Sequence, residues 1–214
     1  MINIITAVDP TTAFLNGIVA SLRKNRVDHQ VIEIYPDESS YKESLQQVKM
    51  LKKRSTILFL GHGSDDGIYG GESSTFKKQA FVKLNQMGIF REQMICLLAC
   101  NSASLLKSSF KMHRVLKCVG FGALPTSMEE VAGDHKLANL GISNACIEKF
   151  KDSIVKSIST SLVLMDRNGE HDFIYFKDHL GLILSHMINK SILEEKDDAL
   201  AELLFKMKLE MALY

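Results

Sequence analysis

Tryptophan is absent from the sequence, and there are only three prolines and four cysteines. There is also no run of about 18 consecutive apolar residues, so we expect no membrane-spanning helix. Before Asp9 there is no basic stretch that leads into a long apolar one, and we expect no secretory signal. The cysteines form neither a CxxC pair nor a dense framework, which predicts reduced thiols in a cytoplasmic protein.

An excess of charge of one sign is missing as well. Lys and Arg number 26 against 25 Asp and Glu, which gives a net charge of +1. This balance offers no global electrostatic basis for binding nucleic acid or an anionic membrane, so we expect neither as a partner. With 46% hydrophobic and 24% charged residues, the composition is that of a globular protein and excludes a disordered or collagen-like chain.

Strand-like and helix-like segments alternate over the first two-thirds of the chain. Apolar and β-branched runs predict strands at Ile2–Val8, Gln30–Tyr35, Ser55–Leu60, Gln93–Cys100 and Val115–Gly122. Helical spacing of apolar residues predicts helices at Thr11–Arg26, Ser39–Arg54, Ser74–Met87 and Ser102–His113. This alternation predicts an α/β fold with a mostly parallel central sheet flanked by helices.

The pattern changes near residue 145. We expect residues 1–145 to form the α/β core and residues 146–214 a mainly helical extension packed on the same domain. The extension is predicted to hold a strand at Asp172–Phe176 and helices at Lys177–Asn189 and Ile192–Tyr214. In the last segment an apolar stripe, which includes Leu200 and Leu204, favours a helix docked on the core over one that binds a partner.

Two predicted strands end in reactive side chains. His62 follows one apolar run between Gly61 and Gly63, and Cys100 closes another. Ligands bind at the carboxyl ends of parallel strands, so neighbouring strands would bring both groups to one edge. There an imidazole can take the thiol proton, and backbone N–H groups near Gly63 can stabilise an oxyanion. The pattern therefore predicts nucleophilic catalysis by cysteine and histidine.

Other interpretations of the same residues remain open. A cysteine that closes a buried strand is often a small core residue. The glycine-rich segment 61–71 is also typical of a phosphate cradle, which would make the protein a non-catalytic regulatory or phosphate- or nucleotide-binding module. A third alternative is a dormant protease that needs a partner or a cleavage to order its loops.

The motif residues themselves resemble a known family. Leu60–Ser64 (LGHGS), the following Asp66-Gly67 and Leu98–Ala103 (LACNSA) are similar to the caspase-like cysteine peptidases of clan CD. The similarity is strongest to the CHAT-type branch, which includes separase-like proteases. The caspase pentapeptide is absent, so a strict preference for Asp in the substrate is not expected.

The resemblance implies a caspase-like three-layer sandwich and a cysteine endopeptidase that cleaves a protein or peptide substrate. Cys100 would be the nucleophile and His62 the acid and base, with an oxyanion hole from the backbone amides of Gly63 and Cys100. No cofactor or metal is implied, and an activating partner protein is a further expectation.

Candidate substrate-binding residues flank these motifs. They are Ser64, Asp65, Asp66, Asn101, Gly122, Ala123 and Ser127. For Asp65 and Asp66, a turn is the favoured interpretation over orienting the histidine. Beyond them, Glu129, Glu130 and Asp134 would favour a basic substrate residue if they lined a pocket. We favour the alternative that the two glutamates begin a helix, where acidic side chains complement the helix dipole.

Three histidines, His171, His179 and His186, raise the question of a metal site. His179 and His186 are seven residues apart on a predicted helix, which separates them by two turns. That spacing is too long for one ion without other ligands, so we expect no metal.

Overall fold

A computed structural model describes residues 1–169 and 172–214 of the chain. The described strands are Ile2–Ala7 (β1), His29–Ile34 (β2), Thr56–Leu60 (β3), Gly63–Ser64 (β4), Gly67–Tyr69 (β5), Ala80–Lys83 (β6), Met94–Leu98 (β7), Lys117–Gly120 (β8) and Ala212–Leu213 (β9). The α-helices are Asn16–Lys24 (α1), Glu38–Lys49 (α2), Ser102–His113 (α3), Met128–Gly133 (α4), His135–Ala138 (α5), Asn144–Arg167 (α6), Phe173–Lys190 (α7) and Asp198–Glu210 (α8). Short 3-10 helices lie at Ala13–Leu15 and Leu84–Phe90, and a π-helical turn lies at Ser191–Glu195.

The main sheet has six strands in the order β2-β1-β3-β7-β8-β9. All neighbouring pairs are parallel except β8 and β9, which are antiparallel. Every residue of β1 and β3 is buried, as expected for central strands covered on both faces. The predicted α/β fold with a mostly parallel sheet and helices is confirmed.

Helices cover both faces of this sheet. Successive side chains of a strand point to opposite faces, so neighbouring residues pack into different cores. Leu58 of β3 lies in a core cluster that includes Ile18 of α1 and Phe150 of α6. Its neighbour Phe59 lies in a second cluster with Val48 of α2. The sheet therefore separates two apolar cores, and the loops that follow its parallel strands lie at its carboxyl edge.

The carboxyl-terminal segment shares the first of these cores. Leu200 and Leu204 of α8 are buried there, so the prediction of a docked helix is confirmed. The helix predicted over Ile192–Tyr214 is shorter than expected. A π-helical turn precedes α8, and Ala212–Leu213 forms β9 in place of the last helical turn because it pairs with β8. Whether the organisation divides near residue 145 stays a prediction. Among the described residues, no helix has the length and apolar character needed to cross a bilayer.

Two predictions of local structure were wrong. Asp172–Phe176 is the start of α7 and not a strand, because the Asp172 side chain accepts a hydrogen bond from Ile174 N and caps a helix. The segment Ser74–Met87 contains β6 and part of a 3-10 helix in place of an α-helix. There the chain pairs with β5 in a small antiparallel sheet, in the order β4-β5-β6.

Candidate functional site

His62 and Cys100 lie at the ends of adjacent strands. β3 pairs in parallel with β7, with Leu60 opposite Leu98, and each reactive residue follows two positions later. Both line one cavity of about 20 Å³ at the carboxyl edge of the sheet. A space of that volume has room for about one water molecule. The predicted adjacency of the two strand ends is therefore present.

Gly63 allows a close approach between these two strand ends. A methyl group added at its Cα would lie 2.8 Å from the Ala99 Cβ and 2.9 Å from the Cys100 carbonyl oxygen. Real Cβ atoms do not come so close to other heavy atoms. The main chain after His62 therefore packs directly on the main chain at Cys100. This places the two peptide groups expected to form the oxyanion hole side by side.

The turn that carries Cys100 is fixed by hydrogen bonds to β7 and to the two residues that follow β8. Asn101 adopts a left-handed conformation, with φ 55°, and its N–H donates to Gly122 O at 2.8 Å. The buried Ser102 hydroxyl donates to Leu97 O at 2.7 Å and accepts from Phe121 N at 2.9 Å. A positive φ is uncommon outside glycine, and here surrounding bonds hold it. Cys100 is therefore mounted on a rigid strand-to-helix turn.

The Cys100 thiol is in its neutral form. Its Sγ donates to Leu124 O at 3.4 Å. Burial raises the pKa of this thiol to about 11, and the nearby Glu130 carboxylate also disfavours the thiolate. The hydrogen bond to Leu124 and the charge of Lys78 act in the opposite direction without outweighing burial.

The imidazole of His62 contacts the loop after β1. Its Nε2 lies 2.8 Å from Thr11 Oγ1 and 3.6 Å from Asp9 Oδ2. Burial lowers the pKa of His62, and the charge of Lys78 lowers it further, against the opposing effect of nearby carboxylates. The ring is therefore neutral at pH 7 and can accept a proton. Sequence reasoning missed both Asp9 and Thr11.

These protonation states predict how Cys100 reacts with a small electrophile. Only the thiolate is alkylated, so with a thiol pKa of about 11 the rate of labelling by iodoacetamide should rise about tenfold per pH unit from pH 7 to 9. Mass spectrometry of the modified peptide measures this rate. The buried Cys96 and Cys118 serve as internal controls that label slowly. A rate at Cys100 that is constant between pH 6 and 8 would indicate a preformed thiolate–imidazolium pair instead.

The expected substrate-binding residues near His62 form a hairpin. Asp65 and Asp66 make the turn between β4 and β5, which confirms the turn interpretation. Ser64 lies in β4, and its hydroxyl pairs with the Tyr69 hydroxyl at 3.1 Å. A Cβ on Gly67 would lie 2.6 Å from Val82 O, so this glycine permits the pairing of β5 with β6. Packing in a hairpin thus accounts for part of the glycine-rich segment.

The expected residues near Cys100 take other roles. Gly122 packs against Glu210 of α8, and Ala123 N donates to the Glu210 carboxylate at 3.0 Å. Ser127 caps α4 by accepting from Glu130 N at 3.2 Å. Together with Ser64, Asp65, Asp66 and Asn101, these three residues lie outside the lining of the 20 Å³ cavity. Their role in substrate binding stays a prediction.

The acidic residues after Ser127 begin a helix, as favoured. Glu129 and Glu130 occupy the first turn of α4. Glu130 also lines the cavity, and its Oε2 accepts from Thr126 N at 2.6 Å. Asp134 pairs with Lys206 of α8 at 2.5 Å.

Four residues of the cavity wall were not indicated by the sequence. They are Thr12, Phe14, Leu15 and Ile154. The first three follow β1, which is the other neighbour of β3 in the sheet. The remaining lining residues belong to the two motifs or to the segment after β8, and they are Gly61, Leu98, Ala99, Leu124, Thr126 and Glu130. The sequence marked the end of the first strand near Asp9, but only the structure shows that β1 pairs with β3.

A metal site finds no support in the described part of the chain. Within it, no three His, Cys, Asp or Glu side chains come close enough to hold an ion. His179 and His186 lie on α7, and His171 lies outside the described residues.

Comparison with known proteins adds no relative on which to base a function. No protein-family model and no curated protein matches the chain. A function is therefore inferred from the geometry of the site and from the motif residues.

Proposed function

We propose that the protein is a cysteine endopeptidase in which Cys100 and His62 act as a catalytic dyad. The observation that carries this proposal is that both side chains line one cavity at the ends of the adjacent parallel strands β3 and β7. A neutral imidazole and a neutral thiol that line one cavity are the groups that general-base activation requires. The fixed turn at Asn101 and Ser102 supplies the rigid mount.

The reaction follows from these two groups. The sulfur of Cys100 attacks the scissile carbonyl as its proton passes to His62, and a tetrahedral oxyanion forms. When that intermediate collapses, the C–N bond breaks, His62 gives its proton to the leaving amine, and a thioester remains. Water then attacks the thioester with His62 as base, which releases the carboxylic acid and restores the thiol. The backbone N–H groups of Gly63 and Cys100 would stabilise both oxyanions.

The fold is compatible with the family that the motifs resemble. A caspase-like three-layer sandwich, with similarity to the CHAT-type branch, requires a mostly parallel sheet with helices on both faces and the His-Gly and Ala-Cys strand ends adjacent. Each of these features is present. Protein or peptide substrates follow from this assignment, and the free state of all four cysteines suits a reducing compartment such as the cytoplasm.

We further propose that the loop between β8 and α4 closes the site in this conformation and moves to admit a substrate. The cavity beside Cys100 holds about 20 Å³, too little for a substrate side chain. The Cys100 thiol also donates a hydrogen bond to Leu124 O, at 3.4 Å. Substrate entry therefore needs movement of the loop between β8 and α4, which is where an activating partner would act.

The test combines a peptide library with a thiol-directed peptide electrophile. We expect cleaved peptides, and a covalent adduct that maps to Cys100 and not to Cys96, Cys118 or Cys146. Prior alkylation of Cys100 with iodoacetamide should prevent both. Cleavage that continues after Cys100 has been fully alkylated would contradict the proposal, because the nucleophile would then be another group.

A further inference from the structure

The side chain of Asp9 is buried in an unusual way at the edge of the site. Its exposed fraction is 1%, yet its Oδ2 has no hydrogen-bond partner. The other oxygen, Oδ1, accepts from Thr11 N at 2.7 Å and from Thr11 Oγ1 at 2.6 Å. A buried carboxylate oxygen without a partner carries a free-energy cost, so its retention calls for a functional explanation.

The hydroxyl of Thr11 joins this carboxylate to the imidazole. Burial acts to raise the pKa of Asp9, but the two hydrogen bonds from Thr11, together with the charge of Lys78 and that of His62 when it is protonated, lower it and keep Asp9 ionised. An ionised carboxylate only accepts hydrogen bonds, so the single hydroxyl proton of Thr11 is directed to Oδ1. Thr11 Oγ1 can then only accept from His62 Nε2, which lies 2.8 Å away.

The direction of the two hydrogen bonds made by the Thr11 hydroxyl determines which nitrogen of the His62 ring carries the proton. If Nε2 carries the proton and donates it to Thr11, Nδ1 is left with a free lone pair. Nδ1 is then the basic nitrogen available to the thiol of Cys100, which lines the same cavity. When the ring becomes an imidazolium, the unpartnered Oδ2 of Asp9 lies 3.6 Å from Nε2 and faces the new positive charge.

We propose that Asp9 and Thr11 form a hydroxyl-bridged relay that holds His62 in the Nε2–H tautomer and stabilises its protonated form. The relay rests on the proposed function in one respect, since it makes Asp9 and Thr11 positioning residues of the Cys100–His62 dyad. It extends the site to three adjacent strands, with Asp9 after β1, His62 after β3 and Cys100 after β7.

Other charges face the same ring and act on both tautomers. Lys78 opposes protonation of His62, whereas Glu130 of α4 and Glu72 favour it. These three charges raise or lower the pKa of His62 through space, without a hydrogen bond to either ring nitrogen. A readout of the tautomer therefore separates the relay from these electrostatic effects.

The deciding experiment is nitrogen-15 NMR of the histidine side chains in the full chain, with His62 assigned by the His62→Gln variant. In the wild type we expect the spectrum of an Nε2–H tautomer. In Asp9→Ala, the Thr11 hydroxyl loses its acceptor and becomes free to donate to Nε2, which allows the ring proton to move to Nδ1. We expect loss of the Nε2–H preference, and a loss of peptide cleavage of about 10²- to 10⁴-fold, comparable to the effect of disabling the orienting acid of a catalytic triad.

Two further variants keep the test independent of folding. Thr11→Val removes the bridge and should abolish the tautomer preference, whereas Thr11→Ser should retain it. Asp28→Ala is a matched exposed control that should change neither readout. A wild-type ring protonated at Nδ1, or an unchanged tautomer preference in Asp9→Ala, would overturn the relay. Because the NMR signal needs no turnover, the expected tautomers in a chain that cleaves no peptide would support the relay and count only against the peptidase.

Discussion

Replacement of Cys100 by alanine is expected to lower kcat/KM for peptide cleavage by about 10⁴-fold or more, because the described lining of the cavity contains no other thiol for covalent catalysis. Stability should change little, by about 1 kcal/mol or less, since only a half-buried sulfur atom is lost. Cleavage of a fluorogenic peptide measures the first quantity and thermal unfolding the second. Cys100→Ser should be almost as inactive, because a hydroxyl beside this imidazole is a far weaker nucleophile.

The matched control is Cys146→Ala, which removes a thiol from α6 outside the cavity. This variant should retain cleavage and lose no labelling at Cys100. If Cys100→Ala cleaved the peptide as fast as the wild type and unfolded normally, Cys100 would be a core residue and another group would be the nucleophile. If neither protein cleaved any peptide, the non-catalytic module would be favoured.

Replacement of Gly63 by alanine is expected to lower both the stability and the activity of the protein. The new Cβ would overlap the Ala99 side chain and the Cys100 carbonyl, at 2.8 and 2.9 Å. Relief of that overlap requires the His62 and Cys100 strand ends to move apart, which costs about 1–3 kcal/mol of stability. It also displaces the proposed oxyanion donors, and the loss of one such donor lowers kcat by about 10²- to 10³-fold.

Gly181→Ala provides the matched control for this substitution. Gly181 lies in α7, and an added Cβ there meets nothing within 4 Å. Alanine in a helix interior is favoured over glycine by about 0.5–1 kcal/mol, so the control should be slightly more stable and equally active. If Gly63→Ala were as active as the control, the close approach of the strand ends would have no role in catalysis.

Sequence patterns predicted the parts of the fold that depend on continuous burial. β3 and β7 are apolar throughout because both faces of each are covered, and such runs are visible without a structure. The residues at the ends of these two runs, His62 and Cys100, were then predicted to be catalytic. The helix α3 was predicted at its observed bounds, Ser102–His113, because a polar turn precedes it and its apolar residues follow helical spacing.

The rest depended on contacts between distant segments. The pairing of β1 with β3 is set by tertiary packing, so the carboxylate of Asp9 could not be placed beside His62 from the sequence. In the segment at 74–87, pairing of β6 with β5 overrides a helical pattern. The two residues of β9 are too few to give a periodic signal, and they are specified by the edge of β8.

The contact between Glu210 and the backbone of Ala123 links the last helix to the loop that follows β8. The same loop supplies Leu124, whose carbonyl holds the Cys100 thiol. A change that shifts α8 along its axis would therefore be transmitted through one carboxylate to the atoms around the sulfur. Glu210 is therefore expected to influence the reactivity of Cys100 although it lies outside the lining of the cavity.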